Sequence, residues 1–168
     1  MAVVQPGLST LGVKFGYAVE STKNTKPAAF TWLERCNAID GISLETNQID
    51  ASALEDYISR YVAGRQDSGG TWNVTFNTTQ EVVAQLEAMI AAYNAGQATS
   101  TESGGPLNTW FEVWSPNNDK AFFVVAQPPQ KLPMPSFEQN ALQTIQLGFS
   151  ITEYKGQDTA IEPTASGA

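Results

Sequence analysis

The chain of 168 residues has no histidine, and that absence removes the Ser-His-Asp and Cys-His arrangements and the HExxH zinc pattern at once. It has one cysteine, Cys36, so no internal disulfide framework exists. With no histidine to activate it, that thiol reads as a small buried apolar group rather than a nucleophile, and a reducing cytoplasm fits. Basic residues are also scarce: nine Lys and Arg stand against seventeen Asp and Glu, for a formal net charge of −8. Neutralising nucleic-acid phosphates takes clustered Lys and Arg, which this chain lacks. An acidic surface ordinarily serves solubility; a rarer use is to repel DNA that must pass without sticking. The sequence has no GxxxxGK[ST] phosphate loop, and the acids of Asp50 to Asp56 lack the glycine and terminal glutamate of a calcium-binding hand, so no cofactor is implied. No run approaches the ~18 apolar residues of a membrane span, and the start MAVVQPGLSTLG has no basic segment followed by an apolar one. The expectation is a soluble protein not exported by the usual route.

What is present is enough to fold. The sequence is 42% hydrophobic and 10% aromatic, which supplies one domain with a substantial core. Val13, Phe15, Tyr17 and Val19 alternate with Lys14, Gly16, Ala18 and Glu20, the two-residue period of a strand with one buried face. The polar stretch ESTKNTKP predicts a hairpin connection to a second strand over Phe30 to Ile39. Asp40-Gly41 is a tight-turn signal, and Ile42, Leu44 and Thr46 predict a third strand. Asp50 to Asp67 reads as a long loop with a helical turn, because Leu54, Tyr57, Ile58, Tyr61 and Val62 fall at roughly helical spacing before the glycines. Trp72, Val74 and Phe76 form the next apolar face. Thr78 and Glu81 form a capping-box pattern that predicts a helix start, with Val82, Val83, Leu86, Met89, Ile90 and Tyr93 on one stripe and Gly96 as a left-handed C-terminal cap. A polar loop over Gln97 to Pro106 follows. Leu107 to Trp114 and Lys120 to Gln127 flank a polar turn as another hairpin, the prolines from Pro128 to Pro135 make a stiff extended loop, and Ile145, Leu147, Phe149 and Ile151 define the last strand. Lys155 to Ala168 reads as a frayed tail.

Three chemical readings stay beside this pattern. Glu45, Asp50, Glu55 and Asp56 match by type the carboxylate pair of a glycoside hydrolase, without a spacing that joins any two of them. Trp32, Trp72, Trp110 and Trp114 offer a sugar-stacking platform, the runner-up reading of a non-catalytic carbohydrate-binding β-sandwich, although Trp72 lies in phase with Val74 and Phe76 and so reads as core. Asn73-Val74-Thr75 and Asn77-Thr78-Thr79 match the glycosylation acceptor pattern but read as polar positions around a strand.

The segment QIDASALEDYISRYVAGRQDSGGTWNVTFNTTQEVVAQLEAMI resembles the major tail tube proteins of long-tailed (siphovirus-type) bacteriophages, which are related in fold to type VI secretion tubes. The positions that carry the likeness are Ile49, Asp50, Ser52, Leu54, Glu55 and Asp56, then Gly64, Arg65, Asp67 and Gly69. The order of strands and helix also fits from Leu11 to about Tyr154. The resemblance implies a mainly β (α+β) fold, an antiparallel β-sandwich or barrel flanked by one helix with long loops, in a domain of residues 1–154 with residues 155–168 as a flexible tail. It implies a non-enzymatic virion protein, assembled in the host cytoplasm as six-membered rings stacked into a tube. The implied partners are further copies of itself, tape-measure and tail-terminator or baseplate proteins, and double-stranded DNA that passes without specific binding. No membrane is involved. The resemblance makes Asp50, Leu54, Glu55, Asp56, Tyr57, Tyr61, Arg65 and Asp67 candidates for ring stacking. Asp40, Glu45 and Glu112, on polar faces of predicted strands, become candidate lumen-facing acids. The tube of a contractile or secretion-type injection device is the related alternative.

Overall fold

In the computed structural model, which describes residues 6–99 and 104–163, nine strands and one helix follow the chain. They are β1 Lys14–Val19, β2 Thr31–Leu33, β3 Cys36–Ile39, β4 Glu45–Asp50, β5 Tyr61–Asp67, β6 Thr71–Asn77, α1 Gln80–Gln97, β7 Thr109–Trp114, β8 Ala121–Gln127 and β9 Thr144–Asp158. Seven strands form one antiparallel sheet in the order β2-β1-β7-β8-β9-β6-β3, and β4 and β5 form a separate two-stranded ribbon. The architecture is mostly β with one helix, as expected.

The position of β2 and β3 dictates the shape. They stand at the two ends of the strand order, yet only Glu34 and Arg35 connect them. Laid flat, seven strands place their outer members roughly 29 Å apart. A two-residue link reaches only about 10 Å. The sheet therefore curls until its edges approach, giving a barrel-like body. The single strand expected over Phe30 to Ile39 is thus two strands, broken where Arg35 takes φ 56°. Its halves pair with different partners, Leu33 with Phe15 and Cys36 with Phe76.

The concave side of the curl holds the main core. Phe15, Trp72, Val74, Phe76, Phe111, Ile145, Leu147 and Phe149 are buried there, each from the alternating apolar face of its strand. Phe15 stacks on Phe111 at 5.5 Å, and Phe111 meets Phe149 edge-on at 4.8 Å. Such pairs add about 0.5–1.5 kcal/mol beyond area burial. Helix α1 contributes Val82, Leu86, Met89 and Ile90 to the same core and contacts β1 and β2. Its N-cap is Thr79, one residue later than the capping box predicts: Val82 N–H donates to Thr79 Oγ1 at 3.2 Å. The helix runs through Gly96 instead of ending on it, and a Cβ there would lie 3.0 Å from Val19 Cγ1, so this glycine serves close packing.

Other boundaries shift for pairing reasons. The third strand falls at Glu45–Asp50 rather than around Ile42, because β4 takes β5 as its partner and not β3. The last seven residues of the expected Asp50 to Asp67 loop are strand β5 and Asp50 ends β4, leaving residues 51–60 as the tip. The tail expected from Lys155 is ordered to Ile161: Asp158 pairs with Ala121, and a bulge places Gly156 at φ 75°. Residues 164–168 of that tail lie outside the described residues.

The convex face of β7 and β8 carries a second, smaller core of Trp110, Ala121, Phe123 and Val125, covered by Phe30, Trp114 and Ala160. Two carboxylates sit within this layer. Glu20 is 1% exposed and fully used: Oε1 accepts from Asn108 N–H at 2.9 Å, and Oε2 accepts from Asn24 N–H and Trp110 Nε1–H, each at 3.0 Å. Glu112 corrects the expectation of a lumen-facing acid, because it is 0% exposed. Chain 159–161 folds over it, and Ile161 N–H donates to Oε1 at 2.9 Å while Oε2 has no partner among the described residues. Burial pushes its carboxyl up from 4.5 to about 7, against the opposing pull of the Ile161 hydrogen bond and of Lys26.

Two outcomes follow from this layer. Gly16 lies under Trp32, and a Cβ would come within 2.8 Å of Trp32 Cε3. Gly16→Ala is expected to lower stability by about 1–3 kcal/mol in denaturant titration and to shift tryptophan emission; an unchanged midpoint and spectrum would show that the ring moves freely. Glu112 binds its proton more tightly folded than unfolded, so its contribution is complete below pH 4.5 and lost as pH rises through about 7. Glu112→Gln is accordingly expected to melt like the parent at pH 4 and to be more stable by about 3 kcal/mol at pH 8, and parallel pH profiles for the two proteins would contradict this.

Candidate assembly surface

Strands β4 and β5 leave the body between β3 and β6 as a ribbon whose residues are almost all exposed. The pairing runs from Glu45 opposite Asp67 to Asp50 opposite Tyr61, with a bulge near Asn47. Ile49 stands opposite Val62 on one face, while Tyr61 lies on the other. No element of the same chain covers either face within the described residues. Six large apolar side chains meet solvent here: Ile49, Leu54, Tyr57, Ile58, Tyr61 and Val62. At the tip, Leu54 and Tyr57 are exposed to 109% and 104% of their reference areas. A two-stranded hairpin with no covered face is marginal in water, so this ribbon is held by its own tip and lacks the packing that stabilises larger sheets.

The tip is nevertheless well defined. Ser52 N–H donates to Asp50 Oδ1 at 2.9 Å, Arg60 N–H donates to Ser52 Oγ at 2.9 Å, and Ala51 N–H donates to Arg60 O at 2.8 Å. Ala53 N–H donates to Asp56 Oδ2 at 2.8 Å, and Arg60 Nε pairs with Asp56 Oδ1 at 3.1 Å. The hydrogen bonds from Ser52 hold the Asp50 carboxyl below its ordinary range. Among the candidate stacking residues, Asp50 and Asp56 therefore shape the turn, and Asp67 does the same at the base by accepting from Gly69 N–H at 2.9 Å. Leu54, Tyr57 and Tyr61 are the exposed apolar members, and Glu55 and Arg65 present charge outward. Ile49, Ile58 and Val62, which the sequence reading named but did not count among the stacking candidates, are exposed beside them, and Ile49 and Val62 carry the β-branched signal of a strand pair.

Of the remaining acids, Asp40 and Glu45 are exposed and Glu112 is not. Asp40 also has a structural role: its carbonyl accepts from Trp72 Nε1–H at 2.7 Å. The four tryptophans do not make an open platform, because Trp72 and Trp110 are buried on opposite faces of the sheet and Trp32 and Trp114 are half-buried. Cys36 is half-buried, with its thiol pushed up to about 12 by desolvation. No three His, Cys, Asp or Glu side chains gather as a metal-binding group among the described residues, and none of their helices is long and apolar enough to cross a membrane.

The body has a cleft and an exposed apolar segment of its own. A cleft of about 930 Å³ between the segment 9–13 and β3 is lined by Leu11, Ile39, Ile42, Trp72, Phe122 and Tyr154. The proline-rich connection after β8 exposes Met134, Phe137 and Leu142.

No protein-family model matches the chain, and no curated protein matches it. Among solved structures, a chain in the cryo-EM structure of the anti-feeding prophage (AFP) baseplate, 6-fold symmetrised, is similar over 91% of this chain and 96% of its own length, with a TM-score of 0.52 at 11% identity. At that identity the likeness is one of fold, and it extends over nearly the whole of both chains.

Proposed function

We propose that this protein is a non-enzymatic structural subunit of a phage-type tail or injection device, and that it acts by self-assembly into stacked rings forming a tube. The observation that carries the reading is the uncovered β4–β5 ribbon, which turns six large apolar side chains to solvent with no element of the body packed on either face. Large apolar side chains gathered on one uncovered element in this way mark an interaction site. A ribbon that is marginal alone gains its packing from a neighbour. The fold likeness to a chain of a six-fold symmetrised baseplate supports the same reading and is compatible with rings of six.

Within this reading the acidic balance, −8 overall, keeps a conduit from holding the DNA that passes through it toward the host. Asp40 and Glu45 are the exposed candidates for a lumen wall. The partners are further copies, with tape-measure and tail-terminator or baseplate proteins at the tube ends, in a virion or phage-like particle assembled in the host cytoplasm. The prophage likeness favours an injection device as the nearest alternative to a siphovirus tail.

The substitution Leu54→Ser/Tyr57→Ser/Ile58→Ser removes the tip's apolar surface at positions that make no core contact. It is expected to leave circular dichroism and melting unchanged, and to shift particles seen by negative-stain microscopy to monomers. Rings or tubes from the triple variant at wild-type concentrations would refute the role given to the ribbon.

A further inference from the structure

The seam between β2 and β3 contains a cationic cleft. It has a volume of about 710 Å³ and its lining includes Lys14, Trp32, Leu33, Glu34, Arg35 and Asn77, so two cations and one acid share it. Arg35 is fixed in place by its backbone, since Asn77 N–H donates to its carbonyl at 2.9 Å and its φ is 56°. Neither Lys14 nor Arg35 makes an ion pair among the described residues. On a chain with nine cations and seventeen acids, two unpaired cations sharing one concave site stand out from the surrounding field.

The ribbon has the opposite character. Glu45, Asp50, Glu55, Asp56 and Asp67 outnumber Arg60 and Arg65, leaving it at −3. Glu55, at the tip, is exposed and has no cationic partner among the described residues, whereas Asp56 is already committed to Arg60. The two surfaces lie at opposite ends of one ladder. The ribbon joins β3 beyond Ile39 and β6 before Thr71, while the cleft lies at the other end, where Cys36 pairs with Phe76 and Arg35 meets Asn77. Each copy therefore offers a donor and an acceptor surface to two different neighbours. This heterologous arrangement generates rings or filaments rather than closed dimers.

We propose that the ribbon tip of one copy seats in the Lys14–Arg35 cleft of a second copy, with Glu55 facing the two cations and Leu54 and Tyr57 against the apolar walls of Trp32 and Leu33. This rests on the reading that the protein self-assembles and names the surface that receives the ribbon. Charge complementarity sets the register of the contact and speeds encounter, while the apolar side chains supply the buried area.

The test is sedimentation velocity of the full chain across concentration and salt, comparing the parent with Glu55→Lys, with Lys14→Glu/Arg35→Glu, and with the protein carrying all three changes. Each reversal is expected to weaken association by about tenfold or more, and the combined protein to recover to within about threefold of the parent. Assembly that survives Lys14→Glu/Arg35→Glu, or that is lost with each reversal and not recovered in combination, would overturn the cleft as the receiving surface. If the ribbon triple serine variant is monomeric in those same runs, self-assembly through the ribbon stands and only the cleft is wrong. A parent chain that stays monomeric throughout overturns both.

Discussion

The fold depends on a short tether. Because Glu34 and Arg35 alone join the outermost strands of a seven-strand sheet, the sheet cannot lie flat. The curl that follows gives Phe15, Phe111, Trp72 and Phe149 one shared interior. It leaves the convex side of β7 and β8 needing a cover, which Phe30, Trp114 and Ala160 provide. The curl brings the two edge strands, β2 and β3, toward each other without pairing them. The ribbon of β4 and β5, outside that sheet, keeps its own free edges and uncovered faces.

Strands with one buried face were plain in the sequence, because a two-residue period survives without knowledge of partners. β1, β6 and the first half of β9 are of this kind, whereas β7 and β8 are buried on both faces and were legible from their aromatic and β-branched content. Where the sequence misled, the deciding interaction was remote. Nothing local distinguishes Phe30 to Ile39 as one strand from two, since the break reflects pairing with β1 on one side and β6 on the other. The ribbon was half legible: its exposed residues were singled out, but Tyr61 and Val62 at helical spacing from Leu54 and Ile58 hid strand β5. Glu112 sat on what looked like a polar face, and its burial comes from a segment 49 residues away in the chain. The Lys14–Arg35 cleft had no local signal at all, since it exists only where the two edges of the sheet approach.

Polar groups in this protein work mainly as fasteners. Glu20 ties the β1 exit to Asn108 and Trp110, Asp50 and Asp56 fold the ribbon tip, and Lys26 binds Thr159 O at 2.7 Å while lying 4.1 Å from the centre of the Phe123 ring.

Strand β9 has a mechanical meaning. Its first half is bonded to β6 and its second half to β8, and Ser150 is the residue at which the two ladders meet, opposite Thr71 on one side and Gln127 on the other. Tension applied along β9 loads each ladder sideways, so its hydrogen bonds share the force rather than opening one after another. A body built around such a tie strand resists stretching along one direction and yields more readily to peeling at its edge strands, which gives each subunit a stiff axis and a compliant one.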